Sequence, residues 1–342
     1  MAFQRDRERI VHSKAFRRLD EKTQVLIAGS GDHYRTRLTH TIEVSQVSRD
    51  IARRLQLNED LCEAIALAHD LGHPPFGHDG EFALNEVMEG FQMDFEHNKQ
   101  SQRVVEVLEK VYPDFDGLNL SFEVLGGLIK HQTAWDQAGK PFEVFPHLEA
   151  QVVNIADEIA YTNHDVDDGV RSGLIEIKHL RKFELWKLGE EEVAQRYGKI
   201  KDEQVLISRV VSAMIGAMVE DLCKVTLANL KHNKIASLED VKNHKGALVQ
   251  LSPDMSDKLK KTRMFLHENF YLHPTIGNDK IEGRRMIKKL FEYYHKNPEN
   301  FPKKQFLKKD SILVVTIKDY IAGMTDRFLI NEFKKIFKNN QV

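Results

Sequence analysis

Cysteine is nearly absent from the chain. Cys62 and Cys223 lie far apart and form no CxxC pair, which excludes a disulfide framework and fits a reducing compartment. Net charge is also small: 50 Lys plus Arg stand against 52 Asp plus Glu, leaving −2. Such a balance argues against a surface coated for nucleic acid or for an anionic membrane, while leaving room for a local basic pocket. No stretch approaches the ~18 consecutive apolar residues of a spanning helix. The start, MAFQRDRERI, is charged where a secretory signal would be apolar. A soluble, cytoplasmic protein with no membrane partner is therefore expected. There is no GxxxxGK[ST], no GxGxxG after a strand and no GxSxG, so P-loop, dinucleotide-binding and serine-hydrolase chemistry are set aside.

What the chain has is histidine and helical periodicity. Nine of its sixteen histidines fall between positions 33 and 164. For His33, His131, His147 and His164 the default is a surface or satisfied core residue. The others sit in context. The stretch Arg35 to Glu81 carries Arg35, Arg37, His40, the pair His69-Asp70, His73, His78 and Glu81. Imidazoles beside a carboxylate suit Mn, Fe or a similar divalent ion, with Mg compatible where oxygen ligands dominate. No cysteine lies there, which argues against a structural zinc knot.

Apolar residues recur at helical steps nearly everywhere. Val44, Val47, Ile51 and Leu55 share a face. Asn58 is placed as the N-cap of the next helix, which Gly72 ends just after His69-Asp70. Pro74 and Pro75, set among glycines, make GHPPFGHDG a rigid turn outside regular helix. Helices are expected over 81–88, 98–108, 122–130, 147–163, 206–230, 258–270, 282–295 and, continuously, 311–336. Asp157 stands in an otherwise apolar helix. Either it faces solvent or it needs a cation or hydrogen-bond donors, because an unpartnered buried carboxylate is costly. The expected fold is all-α: a core over 1–170 and a Lys/Glu-rich helical lobe over 171–342, with a single domain equally compatible.

Several motifs carry a resemblance. RTRLTHTIEVSQ, ALAHDLGHPPFGHDGE, FEHNKQS and DYIAGMTDR resemble the HD-domain phosphohydrolases and, within them, the bacterial dGTP triphosphohydrolase (dGTPase) family. The likeness runs through most of the chain. It implies that His40, His69, Asp70 and Asp157 ligate one divalent metal (Mn, Mg or Fe). It also implies hydrolysis of a deoxynucleoside triphosphate at the α-phosphorus, giving deoxynucleoside and triphosphate. His78 and Glu81 match the family's catalytic pair in FGHxGE. His73 and His97 match further active-site histidines, and Arg35 and Arg37 precede His40 where phosphate contacts are expected. Gln24 and Asp165 match positions that hold the sugar 3′-hydroxyl. Tyr161 matches an aromatic beside C2′, with an ordinary core aromatic as the alternative. A dNTP effector and a homo-oligomer fit the family. Nucleic acid is not an expected partner, although an effect of single-stranded DNA is compatible. Relatives commonly carry further residues before QRDRERIVHSKAFRRL, where three stand here. That puts in doubt any N-terminal contribution to substrate, effector or assembly sites. The competing readings are an HD hydrolase for a nucleoside monophosphate, a cyclic nucleotide or a guanosine polyphosphate, and a nucleotide-binding regulator with an idle centre.

Overall fold

The computed structural model describes residues 2–25, 35–129, 146–302 and 312–337. The structure is all-α. Among the described residues there is no strand, only the isolated bridges Thr23 with Thr36 and Lys110 with Gly117. His33 and His131 lie outside the described residues, as does Ser311. No helix among them is long and apolar enough to cross a membrane.

In chain order the helices are α1 (Ala2–Val11), α2 (Lys14–Arg18), α3 (Arg37–Leu55), α4 (Glu59–Ala68), α5 (Gly77–Glu89), α6 (His97–Arg103), α7 (Phe122–Ile129) and α8 (Leu148–Arg171). They continue with α9 (Ile177–Leu180), α10 (Glu184–Tyr197), α11 (Glu203–His232), α12 (Leu238–Asn243), α13 (Pro253–Leu266), α14 (Pro274–Lys296), α15 (Leu313–Ala322) and α16 (Asp326–Phe337). The chain folds as two compact units, each assembled from separated stretches. The first comprises Met1–Arg7, His40–Leu67 and Ser121–His273; the second comprises Glu8–Thr39, Ala68–Leu120 and Pro274–Val342.

In the first unit α8 is the central strut, packed by α7, α11 and α13, while α10 lies along α11. Its apolar stripe, Val152, Val153, Ala156, Ile159 and Ala160, is fully buried. Asn58 caps α4 as expected, its side-chain oxygen accepting from the Leu61 amide at 3.1 Å.

The second unit has its core where α14 meets α5, α15 and α16. Leu84, Ile287, Leu290, Phe291, Ile317 and Leu329 fill it, with Phe76 at its edge. Burying a side chain of this size is worth roughly 1.5–3 kcal/mol, so this cluster anchors the turn that Phe76 belongs to.

Among the boundaries that differ from expectation, three bear on the site. α4 stops at Ala68, and His69 to Gly72 form a turn rather than a last helical stretch. α5 begins at Gly77, inside the segment expected to lie outside regular helix. Phe76 and Gly77 both take positive φ (+62° and +59°), which redirects the chain after the two prolines and launches the helix with His78 in its first turn. The expected continuous helix over 311–336 is two helices. α15 ends at Gly323, and the Thr325 hydroxyl then caps α16 by accepting from the Phe328 amide at 3.3 Å.

Candidate active site

Within the second unit the HDLG turn is built by close backbone approach. A Cβ on Gly72 would meet the His97 carbonyl and the Ser101 amide at 2.2 Å, so only glycine lets α6 lie against the turn. The Ser101 hydroxyl holds both ends of it, accepting from the Gly72 amide at 2.8 Å and donating to the His69 carbonyl at 2.7 Å. Gly80 permits a second close approach in the segment that follows, since a Cβ there would sit 1.9 Å from the Pro75 carbonyl.

These approaches gather His73, His78, Glu81 and His97. Glu81 spans the group: one oxygen accepts from the His97 amide at 2.7 Å and lies 2.8 Å from His97 Nδ1, and the other lies 3.1 Å from His78 Nδ1. His73 stacks on His97 with ring centres 3.9 Å apart and planes 19° from parallel, and His78 stands edge-on to both. His73 and His97 are buried, whereas the His78 side chain is 61% exposed. The potential metal-binding atoms of the four residues lie within 4.8 Å of one another. The parallel stack nevertheless sets the in-plane lone pairs of His73 and His97 side by side rather than converging on one point. The group suits proton transfer and anion contact better than joint ligation of an ion.

Its electrostatics agree. Burial works to raise the Glu81 carboxyl, but the field of His97, hydrogen bonds from His78 and His97, and the field of His73 outweigh it. The group is held well below the usual carboxylate range. Burial pushes the His73 imidazole well below its ordinary value, and the fields of Arg37 and His97 add to the effect against the opposing pull of Asp70. The result is an ionised carboxylate braced against an exposed imidazole, with a neutral imidazole behind them.

Asp70 stands beside this group. His69 Nε2 and His73 Nε2 each lie 3.3 Å from its Oδ1, and Arg37 Nη1 lies 2.7 Å from its Oδ2. Burial would raise this carboxyl, but His69, Arg37 and His73 together hold it well below the usual range. The Arg37 side chain is buried, with one end of its guanidinium on Asp70. Arg35 is half-buried just ahead of α3. Gln24 is half-buried, and its side-chain oxygen has no hydrogen-bond partner among the described residues.

In the first unit, His40 Nε2 lies 2.9 Å from Asp157 Oδ1, both buried. Asp157 is 7% exposed, which rules out its solvent-facing alternative. The second nitrogen of His40 meets His164 at 3.4 Å, and His164 reaches Glu43 at 3.1 Å. Buried His164 thus carries more than the default reading gave it, because it fixes the orientation of His40. The signal was its place seven residues, two helical turns, after Asp157 on α8. Two ligands of an octahedral ion at about 2.1 Å stand about 3 Å apart, so the His40–Asp157 spacing and the imidazole–carboxylate chemistry fit a divalent metal. Of the four expected ligands, His40 and Asp157 belong to the first unit, and His69 and Asp70 to the second.

The α8 face that carries Asp157 continues with Tyr161 and Asp165. The Arg263 guanidinium lies 5.1 Å over the Tyr161 ring and 3.4 Å from Glu158. The Tyr271 hydroxyl donates to the buried Asp165 carboxylate. Burial, then Asp165, pushes the Tyr271 phenol well above its usual value, so it remains a donor. Neither Arg263 nor Tyr271 stood in a motif. His147 is structural: it caps α8 by accepting from the Ala150 amide and bonds the Glu123 carbonyl.

The chain matches the HD domain family over residues 37–162 and the phosphohydrolase-associated domain over 249–335. It is 48% identical to a deoxyguanosinetriphosphate triphosphohydrolase-like protein of Geobacter metallireducens, over 98% of this chain and 89% of that one. Proteins of the same description from Geobacter sulfurreducens and an Azoarcus species are 47% and 45% identical, over 98% and 99% of this chain and 89% and 91% of theirs. A hypothetical protein of known structure from Aquifex aeolicus aligns with a TM-score of 0.46 and 17% identity over 98% of this chain and 72% of that one, too loosely to carry an argument. With near-full-length identity of this order and the HD domain in place, the chain belongs to the deoxyguanosinetriphosphate triphosphohydrolase-like family of HD-domain phosphohydrolases.

Proposed function

We propose that the protein is a divalent-metal-dependent dNTP triphosphohydrolase. In this reading dNTP and water give deoxynucleoside and inorganic triphosphate, with attack at the α-phosphorus and rupture of its bond to O5′. The observation that carries the reading is Glu81 joined to both His78 and His97, with His78 the most exposed of the group. The printed names of the relatives support the substrate class.

His40, His69, Asp70 and Asp157 would hold the ion, of which Mn, Mg and Fe all suit this donor set. When bound, the ion polarises a phosphate oxygen and acidifies water. His78, aimed by Glu81, gives a proton to the departing O5′. His73, kept neutral, accepts one from the attacking water. His97 and Arg35 contact phosphate oxygens. Gln24 offers its free carbonyl oxygen to the sugar 3′-hydroxyl, and Asp165 serves the same hydroxyl. Arg37 acts indirectly, holding Asp70 ionised and in place. The protein works in the cytoplasm as a homo-oligomer and responds to dNTP effectors.

Turnover of dGTP in H₂¹⁸O with mass analysis of the products tests this. Label in triphosphate supports attack at phosphorus. Label in deoxyguanosine, or in a nucleotide product, overturns it.

A further inference from the structure

The turn that carries His73 and His78 is tied to the C-terminal stretch by buried polar contacts inside the second unit. The Phe76 amide donates to Asp326 Oδ1 at 3.0 Å. The other Asp326 oxygen accepts from the Thr23 amide at 2.9 Å and from the Thr23 hydroxyl. The Lys22 amino group donates to the His73 carbonyl and, at 2.9 Å, to the Ala322 carbonyl. Lys22 and Asp326 are each 2% exposed. Arg284 Nε donates to Asp79 at 2.9 Å, next to His78 in sequence. A Cβ on Gly283 would come within 2.7 Å of the Phe76 ring, so α14 lies directly on it.

A buried amine and a buried carboxylate are a poor way to add stability, because apolar side chains of the same volume commonly do as well or better. What such groups do well is specify one geometry. Here that geometry is unusual. Phe76 keeps a left-handed backbone that a non-glycine residue rarely adopts, and its amide is held by Asp326 in that conformation. Burial, first, and the neighbouring Arg18 lower the Lys22 amine, while Asp326 works to keep it charged.

We propose that Lys22 and Asp326 are positioning residues for the turn bearing the reactive histidines, so that the phosphohydrolase-associated segment belongs to the catalytic apparatus. The inference rests on the reading of His73, His78 and Glu81 given above. Lys22 fixes where the His73 backbone stands. Asp326 fixes the hinge from which α5, with His78 and Glu81 on its first turns, sets out.

Asp326→Asn keeps the shape but turns a donor toward at least one of the three groups that now donate to it, and Lys22→Met removes both carbonyl contacts. Both variants are examined by dGTP turnover and by histidine-selective ¹H–¹⁵N NMR, at a temperature well below each melting point. The expected result is a kcat lower by about 10–100-fold with KM within about threefold, the signature of a misplaced reacting group rather than lost binding. The ring signals of His73 and His97 should shift, and Asp326→Glu should recover some of the rate. Folded variants with wild-type kcat, or with unmoved ring signals, overturn the proposal. If Asp326→Asn does not fold, Thr23→Val and Arg284→Met loosen the same clamp one contact at a time, and an unchanged kcat in both also overturns it. Wild-type protein that releases no triphosphate from dGTP refutes the proposed function instead, and the ring signals then decide the positioning role alone.

Discussion

Glu81 Oε2 lies 3.1 Å from His78 Nδ1, and through this pair the buried group of ionisable side chains reaches solvent. The carboxylate is itself fixed from behind by the His97 amide and ring. An ionised acid so braced aims the exposed imidazole. That relationship leads to the first expectation.

His78→Ala and Glu81→Ala should each lower kcat by ~10²–10⁴ while leaving the melting temperature and bound metal close to wild type. Steady-state kinetics with metal analysis of the purified variants checks this. Near-normal turnover in either variant removes that residue from the chemistry.

His164→Ala should lower affinity for the divalent ion by ~10–100-fold, because the imidazole that braces His40 is lost while the proposed ligands all remain. Metal titration followed by activity and by bound-metal content reads the effect. Unchanged affinity would mean that Glu43 and His164 do not orient His40.

Lys22 predicts a pH dependence of stability. Its amine is lowered from 10.5 to about 7 in the folded chain. Between those values the unfolded chain binds the proton and the folded chain does not, so wild-type stability should rise with pH relative to Lys22→Met. The slope is at most ~1.4 kcal/mol per pH unit, flattening below pH 7 and above 10.5. Urea unfolding of both proteins at about pH 7, 8.5 and 10 measures it, and parallel curves would contradict it.

For the sugar, Tyr161→Ala should raise GTP hydrolysis relative to dGTP by roughly ten- to two-hundredfold, if the ring occupies the space beside C2′. Tyr271→Phe removes the donor to Asp165 and should weaken both substrates. An unchanged GTP to dGTP ratio in Tyr161→Ala would refute the steric account.

Helices were legible because apolar residues such as Val44, Ile51, Val152 and Ile159 repeat at 3.6-residue spacing and do end up buried. The turn before α5 was half legible. Pro74, Pro75 and the glycines announced a break, but the left-handed Phe76 that lets the helix start at Gly77 is held by Asp326, 250 positions away, and has no local signature. The break after α15 was hidden because ILVVTI runs smoothly into DYIAGMTDR, and a single glycine does not end a helix by itself. His40 and His69-Asp70 could be read from their residue types and context. Asp157 became legible only through the family resemblance, and its burial in the structure removes the alternative. Tyr271 escaped because nothing local distinguishes it, and His164 because a two-turn step from Asp157 does not by itself single out a residue; their partners, Asp165 and His40, are more than a hundred residues distant. Nearness to His40 in sequence points Arg37 toward phosphate, and its contact with Asp70, 33 residues on, has no local signature.

The most direct test of the central claim is the identity of what leaves the enzyme. Purified protein with Mn or Mg, given dGTP and sampled by anion exchange, should yield deoxyguanosine and intact triphosphate in equal amounts from the first turnover. Pyrophosphate with dGMP, or orthophosphate with dGDP, would contradict it.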